Sequence, residues 1–173
     1  WKYFRYVDDI LIICREQDLQ RAYDTVRQPL KKLGLVCHPL GEDGGKTCTA
    51  SVDKGISYLG FHLTRRLISV RESSYKRMFS TLLSVLTAHK YKANEARLIW
   101  RLNIKVTGCV LEGERYGWLF FFSLSEDLRQ LETLDNFISS QLKKRGLSHI
   151  KPRIKSFVRA YHEIRYSSDR TKY

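Results

Sequence analysis

The sequence predicts an α+β chain: antiparallel strands with a packed helix, followed by an α-helical second half. Three observations predict it. Residues 2–14 alternate and then cluster β-prone and apolar side chains around Asp8-Asp9, the pattern of a hairpin. Residues 17–33 repeat apolar side chains at helical spacing. From residue 72 onward helical periodicity takes over. The change in composition near residue 70 divides the chain into 1–70 and 71–173.

Each element follows from its residues. Lys2–Val7 is aromatic and β-prone, and Ile10–Cys14 is a continuous apolar run, expected to be buried on both faces. The two aspartates fall at the turn between them. Leu19, Ala22, Tyr23, Val26, Leu30 and Leu33 define the first helix, with Pro29 as a kink or shift of axis and Gly34 as C-cap. Strands are expected at Leu35–His38, Thr47–Val52 and Ile56–Thr64, with a loop at Gly41–Gly45.

Tyr75, Phe79, Leu82, Leu83 and Leu86 form the stripe of a second helix. A third starts at Asn94, a good N-cap, and runs to about Val106. Thr107–Ser123 reads as a loop with an aromatic cluster at Tyr116, Trp118 and Phe120–Phe122; Trp118 and Phe120–Phe122 are expected to be core, with base stacking as the alternative. Ser123 and Glu126 have capping-box spacing for a helix whose apolar face is Leu128, Leu131, Leu134, Phe137, Ile138 and Leu142. A last helix is expected over Pro152–Tyr166.

The chain has 31 Lys and Arg against 18 Asp and Glu, a net charge of +13. Residues 71–173 hold +10 of it and residues 1–70 only +3. Nucleic acid is the partner this balance implies, with the second half as its surface. Arg97, Arg101 and Lys105 recur every four residues as one ridge, and Lys143, Lys144 and Arg145 open a denser tract with Lys151, Arg153 and Lys155. No apolar run is long enough to span a bilayer. Cys14, Cys37, Cys48 and Cys109 form no C-x-x-C pair, and no histidine completes a zinc spacing. Cys14 and Cys109 are expected to be core thiols, and a reducing cytoplasm fits best.

Asp8-Asp9 is the focus of chemistry. Neighbouring carboxylates repel each other, and a divalent cation would neutralise them. Mg²⁺ favours a few carboxylates together with substrate phosphates. A solvated acidic turn is the plain reading beside it. Gly41–Thr47 misses a P-loop by one residue, since Leu40 stands where its first glycine would be, and Glu42 and Asp43 would repel phosphate.

Phe4-Arg5-Tyr6-Val7-Asp8-Asp9-Ile10-Leu11-Ile12 resembles the Tyr-x-Asp-Asp motif of reverse transcriptases. Lys31-Lys32-Leu33-Gly34-Leu35, His38-Pro39, Lys46-Thr47 and Tyr58-Leu59-Gly60-Phe61 follow in that family's order. The resemblance is to the group II intron, retron and antiviral-defence branches of bacteria rather than to the retroviral one. It implies the end of a polymerase palm over 1–70 and a helical thumb over 71–173. It further implies RNA-directed DNA synthesis by two-metal nucleotidyl transfer to a primer 3′-end, with Mg²⁺, or Mn²⁺, as cofactor.

Asp8 would be the principal metal ligand and Asp9 its neighbour. Lys46 would approach the leaving pyrophosphate as a cation or general acid, or is a surface lysine beside a glycine-rich turn. Tyr58, Leu59, Gly60 and Phe61 would form the primer grip; an apolar strand with a glycine for close packing is the structural alternative. The implied partners are an RNA template, a DNA primer, deoxynucleotides and a structured non-coding RNA, and the implied settings include defence against phage. The family's third aspartate would lie upstream of Trp1, and the opening on Trp1 inside a strand leads to the expectation of a longer protein. The competing expectation is a non-catalytic basic RNA- or DNA-binding module with a polymerase-like fold.

Overall fold

A computed structural model describes residues 1–41, 47–88 and 94–166. The chain is α+β, and its strands lie in small antiparallel sheets. It divides into two compact units, Trp1–Leu59 and Gly60–Tyr173.

In the first unit β1 (Lys2–Tyr6) pairs antiparallel with β2 (Asp9–Ile13), with Lys2 opposite Ile13 and Tyr6 opposite Asp9. A two-residue turn, Val7-Asp8, joins them. The Ile10–Cys14 run is not buried on both faces: Ile10, Leu11, Ile12 and Cys14 are half-buried and Ile13 is exposed. A 3₁₀ turn (Glu16–Asp18) leads into α1 (Leu19–Lys32), which runs through Pro29. Of its apolar stripe, Ala22 is buried, Leu19, Tyr23, Val26 and Leu30 are half-buried, and Leu33 lies beyond the helix in solvent. The Leu35 amide donates to the Leu30 carbonyl across Gly34 and closes the helix.

The expected strands at Leu35–His38 and Thr47–Val52 do not form. Val36 is 90% exposed, so nothing rewards an extended pairing there. The loop is held instead by the His38 carbonyl, which accepts from the Tyr23 hydroxyl at 2.9 Å and from Thr47 Oγ1 at 3.0 Å. The expected loop at Gly41–Gly45 lies outside the described residues after Gly41. Ile56–Thr64 is not one strand but β3 (Ile56–Tyr58), a turn, and β4 (Phe61–Leu63).

The second unit opens with β4 paired antiparallel to β5 (Ile68–Val70), Phe61 opposite Val70. Then come α2 (Glu72–Thr87), α3 (Glu95–Thr107), a hairpin of β6 (Cys109–Leu111) and β7 (Glu114–Tyr116), and a short α4 (Trp118–Phe121). It ends with α5 (Leu128–Lys144), a 3₁₀ segment (Ser148–Arg153) and α6 (Phe157–Tyr166). Asn94 caps α3, its side-chain oxygen accepting from the Arg97 amide at 2.9 Å.

Thr107–Ser123 is therefore structured rather than a loop. Pro152–Tyr166 holds the end of the 3₁₀ segment and a separate α-helix. The Ser123–Glu126 capping box is not used, because the Glu126 amide and carboxylate bond the backbone of Ile68 instead. Gln130 does the same to both backbone groups of Val70. These bonds tie β5 to α5 and explain why the compact units divide at Leu59–Gly60 rather than near residue 70.

The core of this unit is helical. Leu82 and Leu86 from α2, Leu98, Leu102 and Val106 from α3, Leu131, Leu134, Ile138 and Leu142 from α5, and Phe157 from α6 form one buried cluster. Each such side chain contributes about 1.5–3 kcal/mol of burial. Cys109 is exposed, not a core thiol. The N-terminus of α6 is satisfied from α5: Asp135 accepts from the Ser156 hydroxyl at 2.6 Å and from the amides of Phe157 at 2.8 Å and Val158 at 3.3 Å.

Candidate functional site

The carboxylates of the first unit stand on a constrained turn. Val7 has φ 53°, a left-handed conformation that a β-branched residue adopts at a cost of about 1–3 kcal/mol. Arg5 braces the turn by donating from Nε to the Val7 carbonyl at 2.7 Å. Asp8 and Asp9 are both exposed. Two hard, solvent-facing oxygen donors on adjacent residues suit Mg²⁺ or Mn²⁺, whose remaining positions go to water and phosphate. Among the described residues, no group of three or more His, Cys, Asp or Glu side chains is placed to hold a metal.

Tyr58 joins this turn from far along the chain. Its hydroxyl donates to the Asp9 carbonyl at 3.3 Å, across 49 residues of sequence. Burial, then the negative charge of Asp9, then Tyr3, hold that hydroxyl's pKa above its usual value. The Asp8-Asp9 turn and the Tyr58 strand, two sequence-predicted pieces, are thus brought together in one unit. Lys46 lies outside the described residues.

Leu59 and Gly60 both have positive φ, 49° and 84°, as a two-residue hairpin turn requires. A Cβ at Gly60 would lie 3.3 Å from the buried ring of Phe122, so packing occupies the space beside this glycine. Phe61 is buried. The aromatic cluster expected to be core is so only in part. Phe122 is buried, Trp118 and Phe120 are half-buried, and Phe121 is 59% exposed.

The basic residues of the second unit are mostly exposed and fall in three places: α3, the 3₁₀ segment with its end, and the end of α5. Arg97 and Lys105 are exposed on α3 and Arg101 is half-buried between them. Asn103 on the same helix donates from Nδ2 to the Arg153 carbonyl at 3.1 Å and accepts from the Lys155 amide at 2.7 Å. That clasp holds the backbone of Arg153 and Lys155 against the Asn103 flank of α3, which at about 100° per residue lies across the helix from the Arg97–Lys105 ridge. Trp100, 63% exposed, stands one turn from Arg97 on α3, to one side of the ridge. Lys143 and Lys144 are exposed at the end of α5, whereas Arg145 is tied to Gln141 through its carbonyl at 3.0 Å and its Oε1 at 2.6 Å.

Sequence reasoning missed Arg5, Trp100 and Asn103. An aromatic side chain one helical turn from Arg97 was a visible signal for Trp100. Nothing local marks Asn103, whose partners are 50 residues away. No helix among the described residues is long and apolar enough to cross a membrane. No protein-family model matches the chain, and no curated protein or solved structure is significantly similar to it.

Proposed function

We propose that the chain is the palm end and thumb of a reverse transcriptase of the bacterial type, acting in RNA-directed DNA synthesis. The observation that carries the reading is the hydrogen bond from Tyr58 to the Asp9 carbonyl. It links the Tyr-Val-Asp-Asp turn to the strand that enters Tyr58-Leu59-Gly60-Phe61, the two motifs on which the resemblance chiefly rests.

In this reading Asp8 and Asp9 hold Mg²⁺, or Mn²⁺, which when bound supplies the positive charge needed at the attacking 3′-hydroxyl and the leaving pyrophosphate. The Arg5 brace and the strained Val7 backbone keep the carboxylates in place without reorganisation. Tyr58, kept protonated, supports the turn that would hold the primer strand. The basic residues Arg97, Arg101, Lys105, Lys151, Arg153 and Lys155, with Lys143 and Lys144, bind the phosphates of a template–primer duplex, reading shape rather than sequence. RNA template, DNA primer and deoxynucleotides are the proposed partners.

The second reading is a binding module without catalysis. It is favoured by the net charge of +10 over residues 71–173, since basic residues serve binding whether or not chemistry follows. The test is deoxynucleotide incorporation on an RNA template–DNA primer with Mg²⁺, by the protein carrying this chain, wild type beside Asp8→Ala. Loss of synthesis by at least 100-fold, with duplex binding retained, is expected. Duplex binding with no synthesis by the wild type, even with co-purified RNA restored, would replace the polymerase reading with the module.

A further inference from the structure

The β6–β7 hairpin lies in solvent along its whole length: every residue from Cys109 to Gly117 is exposed. Leu111 is 62% and Tyr116 54% in water. A lone two-stranded ribbon is marginal in water and gains from further strands. This one is nevertheless held firmly at its base. A Cβ on Gly117 would lie 2.6 Å from the Gly108 Cα, and the Arg115 guanidinium sits 5.4 Å from the centre of the Phe120 ring. The tip is a two-residue turn with Glu112 at φ 53° and Gly113 at φ 82°, the left-handed pair such a turn needs.

The turn fixes which backbone groups are free. Leu111 and Glu114 flank it as a hydrogen-bonded pair, and in antiparallel strands such pairs alternate with unbonded ones. Val110, opposite Arg115, is therefore unbonded across the hairpin. Its amide and carbonyl point away from β7, to the free edge of β6. That edge lacks the charges that normally guard one. β6 is Cys109-Val110-Leu111, whereas β7 carries Glu114 and Arg115.

We infer that β6 pairs antiparallel with β6 of a second copy of this chain about a two-fold axis, giving a four-stranded sheet across a homodimer. Val110 lies on the axis and exchanges N–H···O=C bonds in both directions with Val110 of the second copy. Cys109 then faces Leu111 of the second copy, so that Tyr116, Cys109 and that leucine form one row across a sheet face. Charge selects this strand for self-association. The chain carries +13, so its surface as a whole repels a second copy. Residues 109–116 hold Glu112 and Glu114 against Arg115, a net −1. Pairing through β7 would instead set Arg115 against Arg115. The β6 register also places each Glu112 at the end of the other copy's α3, whose last turn carries Lys105. The inference stands apart from the reverse transcriptase reading.

Pairing of three-residue strands falls in the weak class of interface, below about 1,200 Å², so self-association is expected on the order of 0.1 mM. The test is sedimentation equilibrium of the full chain at rising concentration, in about 0.5 M salt to release any bridging nucleic acid. The wild type should form dimers. Val110→Pro removes the edge donor without costing the hairpin a bond, and Leu111→Lys adds a guarding charge to the edge. Each should weaken dimerisation at least about tenfold, with the melting temperature of the dilute protein unchanged.

Leu111→Cys gives a test of register. Under a mild disulfide oxidant it should yield a covalent dimer whose bond joins position 111 of one copy to Cys109 of the other, read by mass spectrometry of the linked peptides. A wild type that stays monomeric to about 1 mM would overturn the second copy as occupant and leave the edge to a strand of another protein. Dimers that Val110→Pro leaves unweakened, or a Leu111→Cys variant with no such cross-link, would overturn the pairing.

Discussion

Gly108 closes α3 and starts the β6–β7 hairpin, and replacing it with alanine should be unusually costly. Its φ of +74° is left-handed, which charges any Cβ about 1 kcal/mol. Space makes the larger demand. A Cβ there would stand 2.3 Å from the Tyr116 carbonyl oxygen and 2.9 Å from two carbons of the Phe120 ring. The oxygen belongs to β7, whose Tyr116 pairs with Cys109, so it cannot swing aside as a side-chain tip would. Relief needs a backbone shift of about 1 Å, an overpacking penalty of about 1–3 kcal/mol. The total is about 2–4 kcal/mol. Gly113, in the turn of the same hairpin, is the control: its φ is +82° but nothing lies within 4 Å of its Cβ position. Gly113→Ala should cost about 1 kcal/mol. Calorimetry of the full chain should show Gly108→Ala melting roughly 5–15 °C below wild type and Gly113→Ala roughly 2–4 °C below it. Equal melting temperatures for the two variants would refute the claim that close approach, rather than φ alone, makes Gly108 necessary.

Two further predictions concern the helical unit. Asp135→Ala strips three hydrogen bonds from Ser156, Phe157 and Val158 and should lower stability by about 3 kcal/mol, read as a drop in the urea midpoint; Asp135→Asn should recover part of it. Burial raises the pKa values of Tyr75 and Tyr161, although the Arg165 guanidinium bonded to the Tyr161 hydroxyl opposes the shift there. A raised tyrosine favours the neutral form in the fold, so this contribution is complete below the unfolded value of about 10 and is lost as pH rises past it. The late part of a tyrosinate absorbance titration, to which Tyr75 and Tyr161 contribute, should therefore coincide with loss of helical circular dichroism. A single titration with the helices intact would contradict the assignment.

How much could be read in advance depended on whether the signal was local. The first hairpin (though its turn is Val7-Asp8, one residue before the expected Asp8-Asp9), α1 and its closure across Gly34, the Asn94 cap, and the apolar faces of α2 and α5 all express periodicity or capping within a few residues. The β6–β7 hairpin was missed because three-residue strands around Glu112-Gly113 hold too few alternations to register. The capping box at Ser123–Glu126 was a correct local motif overruled by Ile68, which claims Glu126 from 58 residues away. The strand expected at Leu35–His38 had β-prone residues but no partner. In the candidate site, Asp8, Asp9 and Tyr58 were legible from their motifs. The bond that joins them was not, and neither was the Asn103 clasp, since both depend on three-dimensional proximity alone.

That clasp has a consequence for variation. Asn103 grips the main chain of Arg153 and Lys155, not their side chains. Replacing either residue leaves both hydrogen bonds in place. Charge at this surface is thereby uncoupled from the geometry that presents it. Under the proposed nucleic-acid reading, adding or removing one phosphate-binding cation there would shift the salt dependence of binding by about one unit of slope. Grip on a nucleic acid could then be raised or lowered residue by residue, in evolution or by design, while the scaffold stays the same.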